Sequence, residues 1–377
     1  MSGGRSLRLC GIGASALVLT TMACSPVALG DGDQRVVVRQ VASEVILPTL
    51  EDLAEASEDL SRSCDALRDA PSANSLADAQ DAWRQARAHW KRSAAYGFGP
   101  AMQLRTESAI DQFPVDPALI DAAIVDLSEG SDAGVNTDYV EEIGANRKGF
   151  HALEYLLFHP EGDVSALAQL TDGADTHVRL QFLTALAQHL ELQAEELRQA
   201  WSGPRGYLQV LADPGDDNDE YPTVKKAIDT LVNECVFSSE VIADTWLGKP
   251  LGVANAGEPQ PELEESPRSD NSLQDITDSL KSIRDVYFGT RNGQPGPGIT
   301  TLVQARSPAT DRAVQEALRD ALGAVADVPR PFSQAIYDDQ LAVQRAYDAV
   351  KVLKRVLSTE VVGALGAALK FNDNDGD

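Results

Sequence analysis

The chain has 377 residues, 43% hydrophobic and 6% aromatic, which is enough to bury two cores and too apolar for a disordered chain. Its 58 acidic residues outweigh 32 basic ones, and the formal charge of -26 excludes nucleic-acid binding through a general electrostatic footprint. Leu and Ala are abundant and β-branched runs are rare after the first fifty residues, a mix that favours helices.

Residues 1–23 carry Arg5 and Arg8, then a short apolar stretch, then Ala23. A basic start, an apolar middle and a small residue at the cut site predict a secretory signal, too short and interrupted for a membrane span. Cys24 follows, and the segment resembles a bacterial lipobox with Thr21 where Leu is usual. The resemblance implies acylation of Cys24, a membrane anchor through that residue, and sorting to the outer membrane on the periplasmic side, since Ser25 and not Asp follows. Cleavage removes two arginines and no acids, leaving 30 basic against 58 acidic residues, a charge of -28. Residues 24–34 read as a tether. Cys64 and Cys235 remain, in different halves of the chain; two buried thiols or one long-range bond are both open.

Apolar positions recur at helical spacing from Arg35 to Ala70, with Pro48 set to kink or interrupt the run. A second helix starts at the small polar cluster after Pro71 and stops at Gly97-Phe98-Gly99-Pro100. Trp83, Arg87 and Trp90 share a face of it and read as core and rim. Shorter pieces lead to a helix between Gly149 and Pro160, apolar almost all round. Further helices are expected over 175–201, 223–247, 271–289, 311–328 and 331–370. The acidic run from Asp213 to Glu220 reads as a solvated loop. Residues 252–272 form a long connection rich in Pro, Gly and Glu, the kind that is functional or disordered. A boundary near 203–222 divides the chain into 35–205 and 206–377. The fold class is all-α, two helical-bundle domains.

In the Gly149–Pro160 helix, His151 and Glu154 stand three apart and share a face with Tyr155. Such a pair can bind one metal ion or hydrogen-bond within a core, and spacing alone leaves both open. Gly149 removes a side chain and would let a backbone or ligand come close. His89, His159, His177 and His189 could each add one ligand, and nothing in the sequence selects among them. HExxH, GxSxG and Gly-rich phosphate loops are absent. The terminal "FNDNDGD" has no EF-hand register.

"GFHALEYLLF" (149–158) resembles the GxHxxE signature of the imelysin family, and "AWRQARAHWKRSAAYGFGPA" (82–101) is similar to the family's Trp-bearing helix. "DTWLGKPLG" (244–252), "ESPRSDNSLQDITDSLKSIRDVYFG" (265–289) and "LGAALKFNDNDGD" (365–377) resemble later family segments, in order, over nearly the whole mature chain. The resemblance implies a pseudo-twofold between two four-helix-bundle-like domains, with Gly149, His151 and Glu154 near the cleft between them. It implies a cell-envelope lipoprotein linked to iron uptake, with His151 and Glu154 as metal ligands or as part of a polar pocket. Glu262, Glu264, Glu265, Ser266 and Ser269 are candidate contributors from the second domain. The resemblance also admits a metallopeptidase, with zinc on His151 and Glu154 as ligand or base, and a non-catalytic interaction protein. No standard catalytic zinc motif decides for an enzyme.

Overall fold

The structure is a computed structural model that describes Met1, residues 30–130 and residues 134–369. The predicted signal, Cys24 and most of the tether lie outside the described residues, as does the FNDNDGD tail. Every regular element among the described residues is a helix.

A continuous helical run opens the fold: Asp31–Val41, a π-turn at Ala42–Ile46, then Leu47–Asp69. The π-turn sits immediately before Pro48. A proline lacks the N–H that an α-ladder needs there, and a widened turn lets the helix pass through instead of breaking. Ala73–Lys91 returns antiparallel, capped by a reciprocal Ser72–Ser75 box. The long Thr176–Trp201 helix lies along Leu47–Asp69, and Val224–Glu240, Ser272–Phe288, Pro308–Ala326 and Gln340–Arg355 complete the second half. The single helix expected over 331–370 is divided instead. Asp339 ends Phe332–Asp338, and its carboxylate caps the next helix by accepting from the Ala342 N–H at 3.1 Å.

Two apolar cores result. One gathers Leu60, Leu76, Trp83, Phe150, Leu153, Leu156 and the Leu180–Leu190 part of the long helix. The other gathers Leu231, Ile276, Leu280, Ile283, Val314, Val350 and their neighbours. The chain does not cross between them once. Val38, Val41, Leu50 and Leu53, and at the far end of the long helix Leu197 and Trp201, belong to the second core. Leu47–Asp69 and Thr176–Trp201 therefore run through both cores. Cys64 is buried in one core and Cys235 in the other; both are free thiols, and burial pushes both up.

Candidate functional site

Gly149–Leu157 is buried along its whole length, as its apolar sequence predicts. Gly149 sits at φ +78°, a conformation favourable to glycine, and a Cβ there would stand 2.3 Å from the Ile110 carbonyl oxygen. The missing side chain admits a backbone, that of Ile110. The next residue, Asp111, is thereby brought against the histidine: its Oδ1 is 3.2 Å from His151 Nε2.

Around this contact lies a buried network of charges. Arg87 is 0% exposed. Its Nη1 donates to Asp111, its Nε and Nη2 donate to Asp275 Oδ2 at 3.2 and 3.1 Å, and Nη2 also donates to Glu265 Oε1 at 3.1 Å. Lys91 donates to Asp111 Oδ2 at 2.9 Å and Glu265 Oε1 at 2.7 Å, with its ammonium 4.2 Å from the centre of the Trp246 ring. Trp90 Nε1 donates to the same Asp111 oxygen at 2.6 Å. Ser266 donates its hydroxyl to Asp275 at 2.6 Å, and Asn271 donates to the other Asp275 oxygen at 2.7 Å.

Glu154 makes a different kind of contact. Its Oε1 accepts from the backbone N–H groups of Arg268 and Ser269, at 3.0 and 2.9 Å, and from the Ser269 hydroxyl at 2.7 Å. The other oxygen is 3.6 Å from His151 Nδ1. The long 252–272 connection is therefore ordered here, and its Glu264–Asn271 part closes over the histidine helix. Glu264 turns away toward Ser272, which donates to it at 2.8 Å, and one of its oxygens is buried without a partner. Burial pushes the Glu264 carboxyl up to about 7 against the pull of Ser272. Glu262 is exposed.

Burial and the Arg87 charge push His151 down, but the carboxylates of Asp111, Glu154 and Glu265, 3.2, 3.6 and 3.8 Å from its ring nitrogens, outweigh them and raise it to about 10. Burial pushes Asp111 up, and Arg87 and Lys91 nonetheless hold it well below the carboxylate range. Glu265, buried but beside Lys91 and His151, is held at about 2. The centre thus contains three cations, Arg87, Lys91 and His151, among the carboxylates of Asp111, Glu154, Glu265 and Asp275.

One set of ligand atoms here has metal spacing: an oxygen of Asp111, a nitrogen of His151 and an oxygen of Glu265, all within 4.8 Å of one another. These residues do not fit a metal as they stand. Arg87 and Lys91 already donate to both carboxylates, and Arg87 Nη2 is 3.4 Å from the histidine Nε2 that would bind the ion. Glu154 belongs to no such set among the described residues, and no second histidine joins one. His189 pairs with Glu141 at 2.7 Å, His89 lies 3.8 Å from Asp52, and His159 accepts from the Glu161 N–H.

Sequence reading set Glu262, Glu264, Glu265, Ser266 and Ser269 beside His151 and Glu154; Glu265, Ser266 and Ser269 join the network there, and Glu262 and Glu264 do not. It missed Arg87, Lys91, Asp111, Asp275 and Asn271. Arg87 carried a signal: it sits one turn after Trp83 on the stripe Leu76, Ala79, Trp83, Ala86 that faces the core. A cation on an apolar stripe calls for buried anions. Asp111, in an irregular stretch, carried none.

Fold and site together define an all-helical protein whose two cores meet across a buried, charge-compensated His-x-x-Glu centre. The imelysin family model matches residues 46–357, and the chain belongs to that family. It is 26% identical over 331 residues to iron-regulated protein A of Synechococcus elongatus, covering 86% of this chain and 85% of that one. Among solved structures, it is similar to a protein of Parabacteroides distasonis assigned provisionally as an iron-regulated protein A precursor (TM-score 0.78, 23% identity, 89% of this chain and 96% of that one). It is also similar to an imelysin-like protein of Psychrobacter arcticum (TM-score 0.73, 16% identity, 92% and 100%). At these identities the two structures speak for the fold.

Proposed function

We propose that this chain is a non-catalytic, iron-linked binding protein of the cell envelope, in which the GxHxxE residues act as a latch between the two cores. The link to iron rests on the kinship with proteins named for iron regulation. The observation that carries the latch reading is the occupation of Glu154: one oxygen takes three donors from a segment 114 and 115 residues away, and the other faces His151. A carboxylate so engaged, beside an imidazole held protonated, is a poor general base and a poor metal ligand. These facts weigh against the peptidase reading. Anchoring through an acylated Cys24 belongs to the same proposal; radiolabelled palmitate incorporation lost in Cys24→Ser tests it.

Elemental analysis of protein purified without chelators, beside His151→Ala, tests the latch. The expected result is no stoichiometric iron or zinc in either protein and a large loss of stability in the variant. Stoichiometric metal in the wild type that disappears in His151→Ala would overturn it. A second reading rests on the Asp111, His151 and Glu265 spacing: these three hold iron or zinc after Arg87 swings out. It requires that metal binding release a proton from His151 and be strengthened by Arg87→Ala.

A further inference from the structure

Residues 370–377 read Lys-Phe-Asn-Asp-Asn-Asp-Gly-Asp and follow directly on Leu369, the last described residue. One contact fixes where that segment is attached. Asn233 donates its side-chain amide to the Ala368 carbonyl at 2.8 Å, across 135 residues of chain. Asn233 also lines a cleft of about 820 Å³, a volume in the range of ligand sites. The attachment point of the segment is therefore the wall of that cleft.

Cleft and segment match in reach, in apolarity and in charge. Lys226, Asn233 and Phe237 line the cleft from one helix, Val224–Glu240. At a rise of about 1.5 Å per residue, Phe237 lies about 6 Å from Asn233 along the axis, and Lys226 about 10 Å the other way. Extended chain spans about 10 Å from Ala368 to Phe371 and about 30 Å to Asp377. Trp90, Phe237 and Trp246 line the cleft and are only half-buried, and Phe371 is the one large apolar side chain of the segment. Asp373, Asp375 and Asp377 outnumber Lys370, three charges to one. Two exposed cations, Arg105 and Lys226, line the cleft to meet them. The acids of the cleft are largely answered: Asp111 by Arg87 and Lys91, and Glu220 by the Tyr207 hydroxyl. Desolvation, then Asp111, push the Glu107 carboxyl up toward its neutral form. Lys370 comes two residues after Ala368, within reach of Glu234, the neighbour of Asn233.

We propose that residues 370–377 are the occupant of this cleft, with Phe371 among its aromatic walls and the three aspartates against Lys226 and Arg105. The acidic segment that has no EF-hand register is then an internal ligand of the fold. The proposal goes beyond the binding reading above and does not depend on it. Photocrosslinking of the full chain with p-benzoylphenylalanine placed at position 371 tests it. The expected result is a crosslink within one copy, mapped by mass spectrometry to cleft residues such as Met102 or Phe237. The same probe at position 337, where Tyr337 is exposed outside the cleft, should give no crosslink there. Arg105→Glu and Lys226→Glu together should lower the yield at least threefold. A second measurement avoids the bulky probe: acetylation of Lys226 should rise at least threefold in Phe371→Ala, with helicity by circular dichroism as the folding control. Crosslinks to another surface or between two copies, no crosslink at all, a yield indifferent to the charge reversal, or unchanged Lys226 labelling in Phe371→Ala would each overturn it.

Discussion

Glu154 and Asp311 are both buried carboxylates, and both accept three hydrogen bonds. Asp311 takes the Tyr287 hydroxyl at 2.8 Å, the Thr300 hydroxyl at 2.6 Å and the Gln315 amide at 2.8 Å. Those partners lie at most 24 residues away and inside one core. The donors of Glu154 lie more than a hundred residues away, and a cation, His151, stands on its other side. A local clasp of neutral donors steadies the core that contains it. A charged, distant one couples two cores, and its loss is felt in both.

The comparison is broken or sharpened most strongly at Arg87. Arg87→Leu leaves Asp111, Glu265 and Asp275 without their shared guanidinium. It should cost about 3–5 kcal/mol in chemical denaturation, as when one partner of a buried ion pair is removed. Asp311→Asn should cost about 1–3 kcal/mol. An Arg87 variant no weaker than the Asp311 one would break the distinction.

Next comes cooperativity. Glu154→Gln should lose about 1.5–3 kcal/mol, the range for hydrogen bonds to a charged group. Scanning calorimetry should resolve its unfolding into two transitions, where Asp311→Asn keeps one. A single sharp transition in both variants would show that the two cores are joined by their shared helices alone.

The pH response follows. His151 is raised from its ordinary 6.5 to about 10 in the folded chain. A raised cationic group contributes stability that is complete below 6.5 and is lost as pH climbs toward 10. The wild type should therefore melt progressively lower across that window, and His151→Gln should start lower and show a flatter slope. A wild-type midpoint constant over the window would contradict the imidazolium.

The smallest effect is a gain. The Glu264 carboxyl is raised from 4.5 to about 7, so the folded state is penalised as pH rises through that interval. Glu264→Gln should stabilise the protein by about 1–3 kcal/mol near pH 8 and leave it unchanged near pH 4. Equal effects at both would place the cost elsewhere.

Much of this was legible in the sequence because periodicity reports burial. The Thr176–Trp201 helix declares itself through its leucine stripe, and the apolar Gly149–Leu157 through its lack of any polar face but His151 and Glu154. Pro48 marked an irregularity but not its form: a π-turn just before it absorbs the missing donor and the helix runs on. The charged centre was half legible. Glu264–Ser269 stood out as an acidic, Ser-bearing stretch in a long connection, and it does reach Glu154. Asp111 did not stand out, because its role depends on a backbone approach that only Gly149 permits, 38 residues later. Contacts fixed by the absence of a side chain leave no mark at the residue they position.

The opening helical run has a bearing on biosynthesis. Val38, Val41, Leu50 and Leu53 complete a core whose remaining walls come from Ala95, Tyr96 and Phe98 and, for the most part, from residues beyond 190. That run is made before most of its core partners and is covered last. Until the Gln340–Arg355 helix arrives, its apolar stripe has no finished surface to rest on. A chain of this design must be kept soluble through most of its synthesis, and its net charge of -26 supplies a repulsion between growing copies that no folded core can yet provide.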